Sequence, residues 1–140
     1  QAVRKVLTTD QLVALQKEVD KVYVDPALME YAVRMVSATR KPSEVGLKEL
    51  ERFIMFGASP RASINLILTG RALAFVRGRN YALPQDVLDM ALDVMRHRIV
   101  LSYEALSENV TGDILLNKIL DRIPIPVAPL HEHVNVNSNA

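Results

Sequence analysis

The stretch Gly57-Ala58-Ser59-Pro60-Arg61-Ala62 decides how this chain is read. Ser59 offers a hydroxyl that caps a helix, and Pro60 suits the first helical position because it has no N–H to leave unpaired. Arg61 then falls in the first turn, where a positive charge opposes the helix dipole. A residue placed against that preference points to a partner outside the helix. An anion is the natural one, because arginine presents a planar fork of donors and stays charged throughout the physiological range. The local pattern equally describes an ordinary exposed arginine behind a good cap.

Helical patterns extend on both sides. The predicted third helix runs from Pro60 to about Arg77, with Ile64, Ile67, Leu68, Ala72, Phe75, Val76 and the stem of Arg71 as its apolar stripe, and Gly78 as a left-handed stop. Gly70 costs that helix about 1 kcal/mol against alanine, which a close helix contact would account for. Upstream, Thr9 opens a first helix with Leu12, Leu15, Val19 and Val22 on one face. Asp25 and Pro26 then cap a second helix that buries Leu28, Tyr31, Ala32, Met35, Val36 and Thr39 and ends before Pro42. Tyr23 and Val24 form a bend between the two. Residues 43–56 are ambiguous, with a turn or two of helix through Gly46–Arg52 and an extended Phe53–Phe56. Downstream, a fourth helix spans Pro84 to about Arg98, burying Val87, Leu88, Ala91, Val94 and Met95, with Leu83 as an unfavourable cap. Thr111 caps a last helix through Ile123. The fold class is all-α, a bundle of about five helices over residues 1–126. The prolines at 124, 126 and 129 and the polar ending predict a disordered tail over 127–140.

Composition excludes several classes. The 140 residues suit one compact domain, and 49% hydrophobic with 24% charged residues describes a soluble globular protein. A net charge of +1 leaves no strong footprint for nucleic acid or an anionic membrane. The absence of cysteine removes disulfides and thiolate metal sites. No apolar run approaches the roughly 18 residues of a membrane span. The chain opens at Gln1 without a methionine, as an excised piece of a longer protein would. No Gly-x-x-x-x-Gly-Lys-Ser/Thr loop occurs in it, so these residues cannot cradle a triphosphate in the P-loop manner.

The run Gly57–Ala62, followed by Arg71–Ala74, Arg77–Tyr81, Pro84–Val87 and Arg96–Glu104, resembles the C-terminal lid of MoxR-type AAA+ ATPases. The likeness extends from about Leu12 to Pro126 in order and spacing. It implies that Arg61 is the sensor-2 arginine, reaching from the lid to the γ-phosphate of ATP. Pro60 would then lie near the adenine or ribose edge, with Tyr23 and Val24 as weaker candidates to pack against the base. It also implies ATP and Mg²⁺ in the whole protein, though no tight nucleotide binding by these residues alone. The partners it implies are a core AAA+ domain of the same chain, a homo-oligomeric ring of hexameric type, and a von Willebrand factor A domain protein. The setting would be a cytoplasmic chaperone of assembly or of metal-cofactor maturation. No catalysis is expected of the fragment itself, the parent being the ATP hydrolase.

Other clusters carry less. Arg71, Arg77, Arg79, Arg96 and Arg98, with His97, fit a solvated face and helix C-termini that favour positive charge, or a surface toward the core or a neighbouring subunit. A helix-turn-helix nucleic-acid module is the alternative for the third and fourth helices, but Asp86, Asp89 and Asp93 on the surface of the second would repel phosphates. Tyr103 and Glu104 suit a buried tyrosine and a carboxylate paired to a nearby arginine. His131 and His133 stand on the tail and form no closed metal site, so no metal is expected.

Overall fold

The computed structural model describes residues 2–127. Six α-helices carry the fold: α1 (Thr9–Val19), α2 (Pro26–Arg40), α3 (Arg61–Val76), α4 (Pro84–Met95), α5 (Tyr103–Ser107) and α6 (Gly112–Leu120). Between α2 and α3 lie two 3-10 segments, Pro42–Val45 and Lys48–Phe53, and strand β1 (Ile54–Phe56). It pairs antiparallel with β2 (Val100–Leu101), Ile54 across from Leu101 and Phe56 across from Val100, with an irregularity between them. The expected all-α class holds. The short α5 adds a helix to the five expected.

α2 follows its sequence pattern closely. Asp25 Oδ1 accepts from Ala27 N–H at 2.8 Å, and Leu28, Tyr31, Ala32, Met35, Val36 and Thr39 are all buried. Tyr31, Met35, Leu66, Val87, Met95, Leu115, Leu116 and Ile119 belong to the main core between α2, α3, α4 and α6. A second cluster, Val22, Val24, Leu28, Ala74 and Ala82, closes the end where α3 turns into α4.

α3 departs from its predicted stripe. Its buried face is Ala62, Leu66, Gly70 and Ala74, while Ile64, Leu68 and Val76 are exposed. Small side chains at four-residue spacing let α4 approach closely, and that contact selects the buried face. A Cβ at Gly70 would lie 2.9 Å from Val87 Cγ2, the close contact anticipated for this glycine. In α1 the expected stripe is also open: Leu12 and Leu15 are exposed, Val19 is half-buried and only Val22 enters a core cluster. The pattern records amphipathicity, but among the described residues α1 meets α3 over only a short stretch. The expected tail lies, beyond Val127, outside the described residues.

Two caps differ from expectation. α3 begins at Arg61 with Pro60 before it, and the Ser59 hydroxyl makes no cap; Ser59 contributes its backbone carbonyl to Ala62 N–H at 2.9 Å. At α4 the apolar Leu83 is compensated from inside the helix, because Asp86 Oδ2 accepts the Leu83 N–H at 2.7 Å. This is the returning half of a capping box.

Candidate functional site

The loop that delivers Arg61 is fixed from beneath. Thr39, fully buried near the end of α2, donates its hydroxyl to Val36 O at 2.7 Å and accepts the Ala58 N–H at 2.9 Å. Gly57 lies against the same helix end: a Cβ there would sit 2.6 Å from Thr39 O and 2.7 Å from Arg40 N and Cα. Those neighbours are backbone and cannot yield cheaply, so the position requires glycine. Ala58 and Ala62 are buried on either side of exposed Ser59, Pro60 and Arg61. The tripeptide is thus a rigid projection held at both ends.

Arg61 is exposed and makes no hydrogen bond or ion pair with any described residue. Three other arginines of the α3–α4 hairpin are neutralised internally. Arg77 reaches Asp86 at 2.9 Å and Asp89 at 2.6 Å, and Arg79 reaches Asp86 at 2.5 and 2.8 Å. Arg96 is held by Asp113 at 2.6 Å and Asp93 at 3.1 Å. Asp86 is therefore not the surface carboxylate expected from the sequence but a fully buried one. Burial pushes its pKa up, but hydrogen bonds from Arg79, the Leu83 N–H and Arg77 outweigh that and hold the carboxyl below the ordinary carboxylate range. Three of the six arginines between positions 61 and 98 are thus neutralised inside the domain, which weakens the electrostatic case for a helix-turn-helix nucleic-acid module.

The four predicted site residues do not converge. Tyr23 N–H donates to Asn80 O at 2.8 Å, and its carbonyl accepts Ala82 N–H at 2.9 Å, which pins it to the turn between α3 and α4. Pro60 and Arg61 stand at the opposite end of α3, about 24 Å away at 1.5 Å per residue. The Tyr23 hydroxyl lies 3.4 Å from Asp25, with its pKa raised by burial and by that carboxylate. Val24 is buried in the smaller core cluster. Neither is placed to share a ligand with Arg61, and Val24 has no free surface for a base.

Tyr103 also differs from expectation, being 83% exposed. Ser102 caps α5, accepting Ala105 N–H at 3.2 Å while donating to Arg52 O at 2.7 Å, and this directs Ala105 inward and Tyr103 outward. Glu104 does pair with an arginine, Arg52, at 2.6 Å. Two features escaped the sequence reading. Arg71 and Arg98 bury their Nε atoms without an acceptor among the described residues. Between Glu51 and Asp86 the sequence contains no carboxylate at all, so α3 has no acid to neutralise its arginines. That gap was legible in the sequence. Among the described residues no three metal-ligating side chains converge, and no helix is long and apolar enough to cross a membrane.

The family model of the AAA lid domain matches residues 49–119, about half of the chain and the segment that holds the Arg61 loop, α3, α4 and the β1–β2 pair. The chain belongs to the AAA lid family. Its relatives are of MoxR type: it is 43% identical over 88% of its length to Chaperone MoxR1 of Mycobacterium tuberculosis. To Protein MoxR of Paracoccus denitrificans it is 37% identical over 76% of its length. The lid superposes on the crystal structure of an ATPase candidate from Cytophaga hutchinsonii with a TM-score of 0.81, at 36% identity, covering 84% of the lid and 36% of that chain. It spans 33% of the length of both MoxR relatives.

Proposed function

We propose that this lid closes over ATP held by a P-loop core of the same polypeptide, with Arg61 on the γ-phosphate and Pro60 beside it. One observation carries the reading: Arg61 is an exposed guanidinium without an internal partner, on a loop locked by Thr39, Gly57 and Ala58. A rigidly presented fork of charged donors stabilises a terminal phosphate without reorganising when charge develops on it. Tyr23 and Val24 drop out of the proposed site. Mg²⁺ and most phosphate contacts belong to the core, which the remaining two-thirds of the relatives' length has room to supply. Loss of the γ-phosphate on hydrolysis removes Arg61's partner, and the lid then rotates on the core.

In this reading the whole protein is an ATP hydrolase assembled as a hexameric ring. It acts in the cytoplasm as a chaperone-like remodeller or maturation factor beside a von Willebrand factor A domain protein. The name of the Mycobacterium tuberculosis relative, a chaperone, supports that role. The test is ATP turnover by the full-length protein carrying Arg61→Ala, set against thermal melting of the lid with the same change. Turnover is expected to fall ten- to a hundredfold, below the roughly 10³ or more of a trans-acting arginine, because the work is shared with other cationic groups. The melting temperature should hold or rise slightly, since a first-turn cation is removed. Arg61→Lys should restore only part of the rate. Unchanged turnover with a lid that melts many degrees lower would make Arg61 a structural residue.

A further inference from the structure

Arg98 is a charged side chain whose cost the domain does not offset. Its Nε is buried without an acceptor, and no described residue hydrogen-bonds or ion-pairs with its guanidinium. The residue is only half-buried, so its stem and Nε are covered while no described acceptor holds the terminal N–H groups of the fork, which leaves them for a partner that the domain itself does not contain. The carboxylates nearest in sequence, Asp93 and Glu104, are already engaged by Arg96 and Arg52. Arg71 shares the orphan Nε but stands midway along α3, remote from Arg61.

Topology brings Arg98 to the Arg61 end of the bundle. Val100 lies across from Phe56 in the antiparallel β1–β2 pair, so Arg98, in the turn two residues before β2, comes in on the same side as the Gly57–Pro60 loop that leaves β1 at Phe56. The α3–α4 hairpin gives the same placement independently. Its close contact is Gly70 against Val87, and Arg61 lies nine residues before the one while Met95 lies eight after the other. At 1.5 Å per residue both sit about 12–14 Å from the contact, on the same side of it. The loop itself, from Ile54 to Ala62, carries no carboxylate that could claim either guanidinium.

We propose that Arg98 is a second phosphate-contacting residue of the Arg61 site, the two guanidinium groups together holding the terminal phosphate of a nucleoside triphosphate. The proposal rests on the lid reading above and adds a residue to it. A pair of forked donors fits a dianionic terminal phosphate, whose oxygens accept more hydrogen bonds than one guanidinium can supply.

The experiment is equilibrium binding of a non-hydrolysable ATP analogue and of ADP to the full-length protein carrying Arg98→Met, Arg98→Lys or Arg61→Ala. Methionine keeps the apolar cover of the arginine stem, so a role limited to packing leaves nucleotide affinity unchanged. Arg98→Met is expected to weaken the ATP analogue about tenfold and ADP less than twofold, with Arg98→Lys in between. Equal weakening of both ligands, or of neither, overturns the proposal. Where Arg98→Met lowers the melting temperature of the nucleotide-free protein by many degrees, the ratio of ATP-analogue to ADP affinity in Arg98→Lys decides, and a wild-type ratio there also overturns it. If Arg61→Ala alone loses the preference for ATP, the Arg98 assignment fails and the lid reading stands. If neither variant loses it, both fail.

Discussion

The Thr39 hydroxyl accepts the Ala58 N–H at 2.9 Å across a fully buried contact, and through that one bond the end of α2 sets the position of the loop carrying Arg61. The same hydroxyl donates to Val36 O, so its geometry is fixed on both sides. Thr39→Val keeps the shape and removes the acceptor, leaving the Ala58 N–H buried and unpaired. The expected cost is about 1–3 kcal/mol in urea unfolding of the lid. In the proposed full-length ATPase, turnover should also fall several-fold, because Arg61 is no longer held in register. Thr39→Ser, which retains the hydroxyl, should restore most of both. A valine variant as stable and as active as wild type would show that the loop is positioned by something else.

Two glycines make an ordered prediction. A Cβ at Gly57 meets backbone atoms at 2.6–2.7 Å, whereas at Gly70 the nearest atom is a side-chain methyl at 2.9 Å with backbone beyond 3.2 Å. Gly70→Ala regains about 1 kcal/mol of helix propensity and is charged about 1–3 kcal/mol for overpacking. It should therefore be mildly destabilising. Gly57→Ala has no such offset, since the loop is not helical, and should cost more than Gly70→Ala while also disturbing Arg61. Thermal melts of the two variants give the order directly. The reverse order would contradict the close-approach account of Gly57.

The stripe of α2 and the caps of α2 and α6 were legible because one apolar face and one capping side chain each point to a single answer, whereas α6 buries Leu116 and Leu120 and leaves Ile114 exposed. Asp25 and Thr111 accept the expected first-turn N–H groups. α3 was misread for a physical reason. Hydrophobicity marked Ile64 and Leu68, but the buried seam is set by how closely α4 can approach, and that favours Ala62, Gly70 and Ala74. The Arg61 loop was legible as a motif, whereas its anchoring by Thr39 was not, because a contact 19 residues apart in sequence leaves no local trace. Tyr23 and Val24 were grouped with Arg61 by the family likeness alone, and the antiparallel run of α2 against α3 places them at the other end.

The isolated lid should bind ATP with Mg²⁺ weakly or not at all. Backbone amides and a lysine of a P-loop supply most phosphate contacts in such enzymes, and no such loop occurs in this sequence. The Arg61 guanidinium on an open surface does not replace it, because salt screens exposed charges within about 10 Å. Calorimetric titration is the check. A stoichiometric complex with a Kd of about 1–10 µM would correspond to roughly 7–8 kcal/mol of binding energy and would contradict the lid reading.

Asp86 should act as the acid-sensitive tie of the α3–α4 hairpin. It is fully buried and receives Arg77, Arg79 and the Leu83 N–H, which hold its pKa in the folded state below the ordinary value, and Asp89 is lowered similarly, mainly by Arg77. For a depressed carboxylate the stabilisation is complete above the unfolded pKa of about 3.9 and is lost as pH falls through the lower folded value. Asp86→Asn removes the charge but nearly keeps the volume, leaving two arginines without their shared anion. Loss of one partner of a buried ion pair costs about 3–5 kcal/mol, and about 2–4 is expected here because both arginines are partly solvated. The gap between wild type and Asp86→Asn in urea unfolding should therefore be full at pH 7 and still full near pH 5. It should shrink as pH drops below about 4, where the carboxyl of the unfolded wild-type chain begins to take up a proton that the folded one still refuses. A gap that stayed constant down to pH 2 would mean that Asp86 contributes through shape and not through its charge, and the hairpin would then owe its closure to the Gly70–Val87 contact.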